Sequence, residues 1–128
     1  MTDAEARDLP LADVLSVTTG RLLSRDGMAG VYRALQYLTG DPIMTHQIPR
    51  ALDACCPKVL EQHPQLLDVA PGADAEGAEI GAWLTAQERR FGLTLPLAPI
   101  DGWEHRDPVA ELVEMMGPER VIPVVIEP

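Results

Sequence analysis

The sequence predicts one α+β domain, mainly helical, with four to six short helices and a two- or three-strand sheet. Three observations carry that expectation. Apolar residues recur at helical spacing in several segments, each bounded by a capping residue, a proline or a glycine. Two stretches, LTLPLAPI and VIPVVI, are apolar, β-branched or proline-broken, and suit edge strands. A chain of 128 residues with 46% apolar but only 4% aromatic content is long enough for one core, and that core must be aliphatic.

In order, residues 1–9 are polar and read as a flexible N-terminal segment, with a single globular domain over 10–128. Leu11, Val14 and Leu15 share a helical face, and Thr18-Thr19-Gly20 breaks that helix. Arg21-Leu22-Leu23 reads as a brief strand. Asp26 is placed as the N-cap of a helix over roughly 27–39, with Met28, Val31, Leu35 and Leu38 on its apolar stripe and Gly40 as its stop. Pro49 suits the first turn of the next helix, where its missing donor costs nothing. Ile48, Leu52 and a cysteine line its inner face, and Pro57 divides the segment into two short helices before Pro64 ends it.

Residues 68–74 form a loop. Asp74 is expected to cap a helix running to Gly92, with Ile80, Trp83, Leu84 and Phe91 inward and Arg89-Arg90 complementing its C-terminal dipole. Asp107-Pro108 opens a last helix that ends at Gly117. The VIPVVI tail would pair with residues near 94 or near 20.

Composition narrows the function. Twenty acidic against ten basic residues give a net charge of −10. Such a surface repels phosphate backbones, whose binding depends on Lys and Arg releasing counterions, and it repels anionic membranes. Basic protein surfaces are the fitting partners. No apolar run approaches the ~20 residues of a membrane span. Neighbouring Cys55 and Cys56 are read as reduced thiols, which with the acidic N-terminus points to the cytoplasm.

His46, Cys55, Cys56 and His63 invite a tetrahedral metal reading, but adjacent cysteines on a helix diverge by about 100°. No metal and no cofactor is expected. A Cys–His nucleophile pair would join His46 to Cys55 or Cys56, with Asp53 or Asp41 orienting the ring. Against it, the thiols lie within or at the end of a helix, away from its positive N-terminus. Thr45, His46 and Gln47 form a polar corner whose ordinary role is to satisfy free N–H groups at the following helix's start. A substrate contact there is the alternative. The stretch Asp101-Gly102-Trp103-Glu104-His105-Arg106-Asp107 reads either as an exposed recognition loop or as a core-plugging Trp flanked by solvated charges. No P-loop, GxGxxG, GxSxG or HExxH occurs.

The segments LSVTTGRLLS, GVYRALQYLTGD and THQIPRA…CCPKVLEQHP, with the later Trp103 and Asp107-Pro108, resemble a group of small, functionally uncharacterised bacteriophage and prophage proteins. The resemblance extends over most of the chain after residue 10. It implies a phage context and assigns no catalytic residue. In that context the expected role is non-enzymatic: an anti-CRISPR or similar anti-defence inhibitor, a monomer or homodimer in the host cytoplasm. Its acidic surface would dock on a basic, nucleic-acid-binding host protein without touching nucleic acid or membrane itself. Asp74, Glu76, Glu79, Asp101, Trp103, Glu104 and Asp107 are the expected contacts. A small enzyme or ligand-binding module built on His46 with Cys55 or Cys56, and a morphogenetic phage protein, are the alternatives.

Overall fold

The computed structural model of the chain describes residues 6–116. In order it contains β1 (Arg7–Pro10), α1 (Leu11–Thr19), α2 (Met28–Thr39), α3 (Ile48–Gln62), α4 (Ala78–Phe91), β2 (Thr94–Leu97) and α5 (Pro108–Met116). Single 3-10 turns cover Thr45–Gln47 and Pro64–Leu66. The protein is thus a small, mainly helical α+β fold with a two-stranded antiparallel sheet.

α1 is the centre of the molecule. Every residue from Leu11 to Val17 is buried, so only Thr18 and Thr19 at the end of this helix reach solvent, and it packs on α2, α3, α4 and both strands. Seven consecutive buried positions that include Asp13 and Ser16 demand internal partners for the polar ones. Ser16 Oγ donates to Ala12 O (3.0 Å) and accepts the Leu23 N–H (2.9 Å). That second bond explains why Arg21-Leu22-Leu23 is not a strand: its backbone donor is spent on α1 and not on a ladder. Thr19 Oγ1 donates to Leu15 O (2.7 Å), and Gly20, at φ 74°, closes the helix in a left-handed conformation that a side chain would resist.

α2 buries Gly30, Val31, Ala34, Leu35 and Leu38, close to the predicted stripe, while Met28 lies exposed at its start. Asp26 is not its cap. Gly27 occupies the N-cap, and the Asp26 carboxylate instead takes Arg33 Nη2 at 2.9 Å. α3 runs unbroken through Pro57, where two helices were expected. Proline deletes the bond to the carbonyl four residues earlier. That residue is Asp53, and both Asp53 and Pro57 face solvent, where water can serve the orphaned oxygen. α4 begins at Ala78 behind Gly77, so Asp74 lies in the preceding loop and caps nothing.

The sheet corrects one expectation. Arg7–Pro10 belongs to the fold and not to a flexible leader: it pairs antiparallel with β2 in the register Arg7↔Leu97, Leu9↔Leu95. Leu9, Leu95 and Leu97 point into the core, and Pro96 faces out, as an edge strand permits. Residues 117–128, which include the expected C-terminal strand, lie outside the described residues.

Candidate functional site

Two places in the molecule concentrate polar chemistry. The first joins the Thr45–Gln47 corner to the 101–107 loop and α5. Gln47 is fully buried. Its Oε1 accepts the Met44 N–H (2.9 Å) and its Nε2 donates to Glu111 Oε1 (2.9 Å). Arg50 grips the same carboxylate through Nε (2.6 Å) and Nη2 (2.9 Å), and donates through Nη1 to Glu104 O (3.0 Å). The guanidinium also stacks 4.1 Å over the Trp103 ring. Trp103 Nε1 donates to Asp41 Oδ2 (2.9 Å), and His105 Nδ1 lies 2.8 Å from the same oxygen. His46 Nε2 donates to Pro108 O (2.8 Å), and the Tyr32 and Thr45 hydroxyls share a 2.6 Å bond.

The electrostatics follow from these partners. The Arg50 fork holds Glu111 well below the usual carboxylate range, at about 2, against the opposing push of burial and with help from Gln47. Burial pushes Asp41 up, yet hydrogen bonds from Trp103 and His105 bring it below its ordinary value. The expected polar corner and the expected recognition loop therefore do converge, but on each other. Trp103 is half-buried as a strut, Asp101 pairs with Lys58 (3.2 Å), and Asp107 caps α5 through the Ala110 N–H (3.3 Å).

His46 and the cysteines do not form a unit. Cys55 is fully buried, and burial pushes its thiol up to about 12. Cys56 donates to Thr18 O (3.5 Å), on a different groove from the one His46 lines, and burial raises its thiol too. His63 Nε2 donates to Pro96 O (2.6 Å). Among the described residues no three His, Cys, Asp or Glu side chains gather closely enough to hold a metal ion, and no helix is long and apolar enough to cross a membrane.

The second place is a surface. Arg21 donates through Nη1 to Gly72 O (3.0 Å) and through Nη2 to Ala75 O (3.0 Å), so one guanidinium spans the carbonyls on either side of Asp74. Arg21 also lines a cleft of about 140 Å³ with Leu22, Met28, Val31, Ile48 and Leu52. Leu22 is 56% exposed and Met28 42%. A second groove, walled by Val17, Thr18, Thr19, Pro49 and Cys56, shares Gly20 and Leu52 with it. The acids of the pinned loop and the adjoining helix start, Asp74, Glu76 and Glu79, are all exposed and, among the described residues, bonded to no cation. Several other acids are paired with arginines: Asp13 and Asp26 with Arg33, Glu88 with Arg25, Glu111 with Arg50, Glu114 with Arg106.

Sequence reasoning missed Arg21, Leu22 and Met28 as a surface, and Asp41, Arg50 and Glu111 as a hub. Glu111 left no usable signal, because an acid in an amphipathic helix is assigned to solvent by default. Here it turns inward and leaves Val109 and Met115 exposed.

Fold and site together define a small α+β domain whose polar side chains mostly serve internal docking, with one apolar cleft beside an acidic loop. Residues 9–69 match the model of a family described as a domain of unknown function, DUF7736, a stretch that runs from β1 through α1, α2 and α3. No curated protein and no solved structure matches the chain.

Proposed function

We propose that the protein is a non-enzymatic binding module that docks on a basic protein surface, with the Leu22–Met28 cleft as the apolar anchor and Asp74, Glu76 and Glu79 as its acidic rim. The observation that carries the reading is the Arg21 bridge to Gly72 O and Ala75 O, which fixes the uncompensated acidic loop beside exposed Leu22. An apolar centre within a charged rim is the usual anatomy of a protein interface, and the charges steer encounter more than they add affinity. In a phage setting the concrete form is an anti-CRISPR or other anti-defence inhibitor that occupies a nucleic-acid-binding host protein in the host cytoplasm.

The test is capture from host lysate with the tagged protein, followed by binding measurements on the captured partner. Leu22→Asp should abolish capture. Asp74→Lys/Glu76→Lys/Glu79→Lys should slow association by tenfold or more at low salt and remove most of the salt dependence. A partner bound equally well by both variants would sink the reading.

A further inference from the structure

A third site lies away from both places described above. A cavity of about 360 Å³ opens between α4 and the segment that follows α3. Gln65, Asp68 and Val69 line one side; Trp83, Gln87 and Arg90 line the other. Ligand pockets begin at about 300 Å³, so the space suits a small molecule.

Three features of the lining are unspent. Asp68 is exposed and makes no ion pair or hydrogen bond among the described residues, and neither does the Arg90 guanidinium, whose one contact is the neighbouring Phe91 ring at 4.7 Å. These opposite charges line one cavity without meeting each other. Gln87 Oε1 is covered from solvent and has no hydrogen-bond partner, alone in this among the described buried side-chain atoms. Buried acceptors are almost always satisfied, so this amide gains by rotating a polar atom out of its covered position toward the open cavity. Trp83 and Gln87 stand four residues apart on α4 and so share a face.

We propose that this cavity binds a free α-amino acid. A zwitterion matches the lining chemically. Its carboxylate pairs with Arg90, whose planar fork suits bidentate recognition. Its ammonium pairs with Asp68. The Gln87 amide turns to accept a further N–H, and the ligand's side chain rests on the Trp83 ring. A phosphate-bearing ligand would bring its anion against Asp68, and a purely cationic one would face Arg90. The zwitterion satisfies both charges at once.

The experiment is titration of the ¹⁵N-labelled full chain with L-phenylalanine, L-leucine, L-glutamine and L-lysine at millimolar concentration. Amide and indole resonances are followed throughout. At least one free amino acid should shift the Trp83 indole and the amides of residues 66–70 and 83–90 in a saturable way. Its N-acetyl and its C-amide derivatives should each bind tenfold or more weakly, since each lacks one charge-assisted contact. Arg90→Gln should abolish the preference for free acid over amide. Asp68→Asn should abolish the preference for free amine over N-acetyl. Both replaced side chains are exposed, and circular dichroism verifies that the variants are folded. No saturable shift with any of the four, or equal binding of blocked and free forms, overturns the proposal.

Discussion

The Gln47 amide nitrogen lies 2.9 Å from Glu111 Oε1 across 64 residues of sequence, and both side chains are buried. This contact, completed by the Arg50 fork, is what seats α5 on the 3-10 turn ahead of α3. A carboxylate held this way contributes stability only while ionised. Glu111 is lowered from 4.5 to about 2 in the folded chain, and Asp41 is lowered as well. The unfolded chain therefore takes up these protons first as pH falls. The contribution is complete above the ordinary value of 4.5 and drains away between 4.5 and about 2. Urea midpoints measured across this range should fall on the acid side, and Glu111→Gln should flatten that limb. At neutral pH Glu111→Ala should cost about 1–3 kcal/mol, because it leaves the buried Gln47 amide without its acceptor while the partly exposed Arg50 turns to water.

Gly30 marks the closest approach of α2 to the loop beneath it. A Cβ at this position would clash with Ser24 Oγ and with Asp13 Oδ1. Those two atoms are themselves bonded at 2.6 Å, and Asp13, buried on α1, also takes the Arg33 guanidinium. Gly30→Ala gains about 1 kcal/mol of helix propensity. The overpacking it forces on an ion pair tied to buried α1 costs more, about 2–3 kcal/mol. The expected net effect is destabilisation by chemical denaturation, the reverse of what an exposed helical glycine would give.

Much of this fold was legible in local patterns. The α2 stripe, the Pro49 and Pro108 starts, the Gly40 and Gly92 stops and the inward Leu84 depend on residues within a turn or two of each other. Several differences come from a partner that lies outside the apolar repeat, two of them only seven residues away and one across most of the described chain. Asp26 is drawn to Arg33, Leu23 N–H to Ser16, and Arg7–Pro10 to Thr94–Leu97, none of which periodicity reveals. Pro57 suggests a break from sequence alone, but it and Asp53 face solvent, which lowers the cost of the lost bond and lets α3 run through. In the candidate site, the acids at 74, 76 and 79 were visible as charges. Their apolar neighbour was not, since only the Arg21 bridge across more than fifty residues places Leu22 beside them.

Gln87 offers a stability test that does not require a ligand. Its covered, unpartnered Oε1 is a net cost to the folded chain. Replacing an unsatisfied buried polar group by an apolar one of similar shape removes a desolvation penalty of about 1–3 kcal/mol. Gln87→Met should therefore raise the thermal midpoint of the free protein. Gln87→Ala, which also empties volume beside Trp83, should gain less.

The two thiols should separate cleanly by reactivity. The thiolate is the nucleophile, so a thiol held at about 12 is almost wholly protonated near pH 8. Cys55 is in addition sealed in the core, whereas Cys56 is only partly covered and gives its S–H to Thr18 O. Under native conditions one equivalent of a disulfide reagent should react, slowly, at Cys56, because burial raises that thiol as well. Cys55 should react only after denaturation, at the rate of global unfolding. Cys55→Ala opens a cavity between α1 and α3 and should cost about 1–2 kcal/mol, close to the loss of one buried sulfur-sized group. Cys56→Ala should cost a few tenths at most. Equal native reactivity of both cysteines would mean that α3 opens locally, and with it the groove walled by Pro49, Leu52 and Cys56.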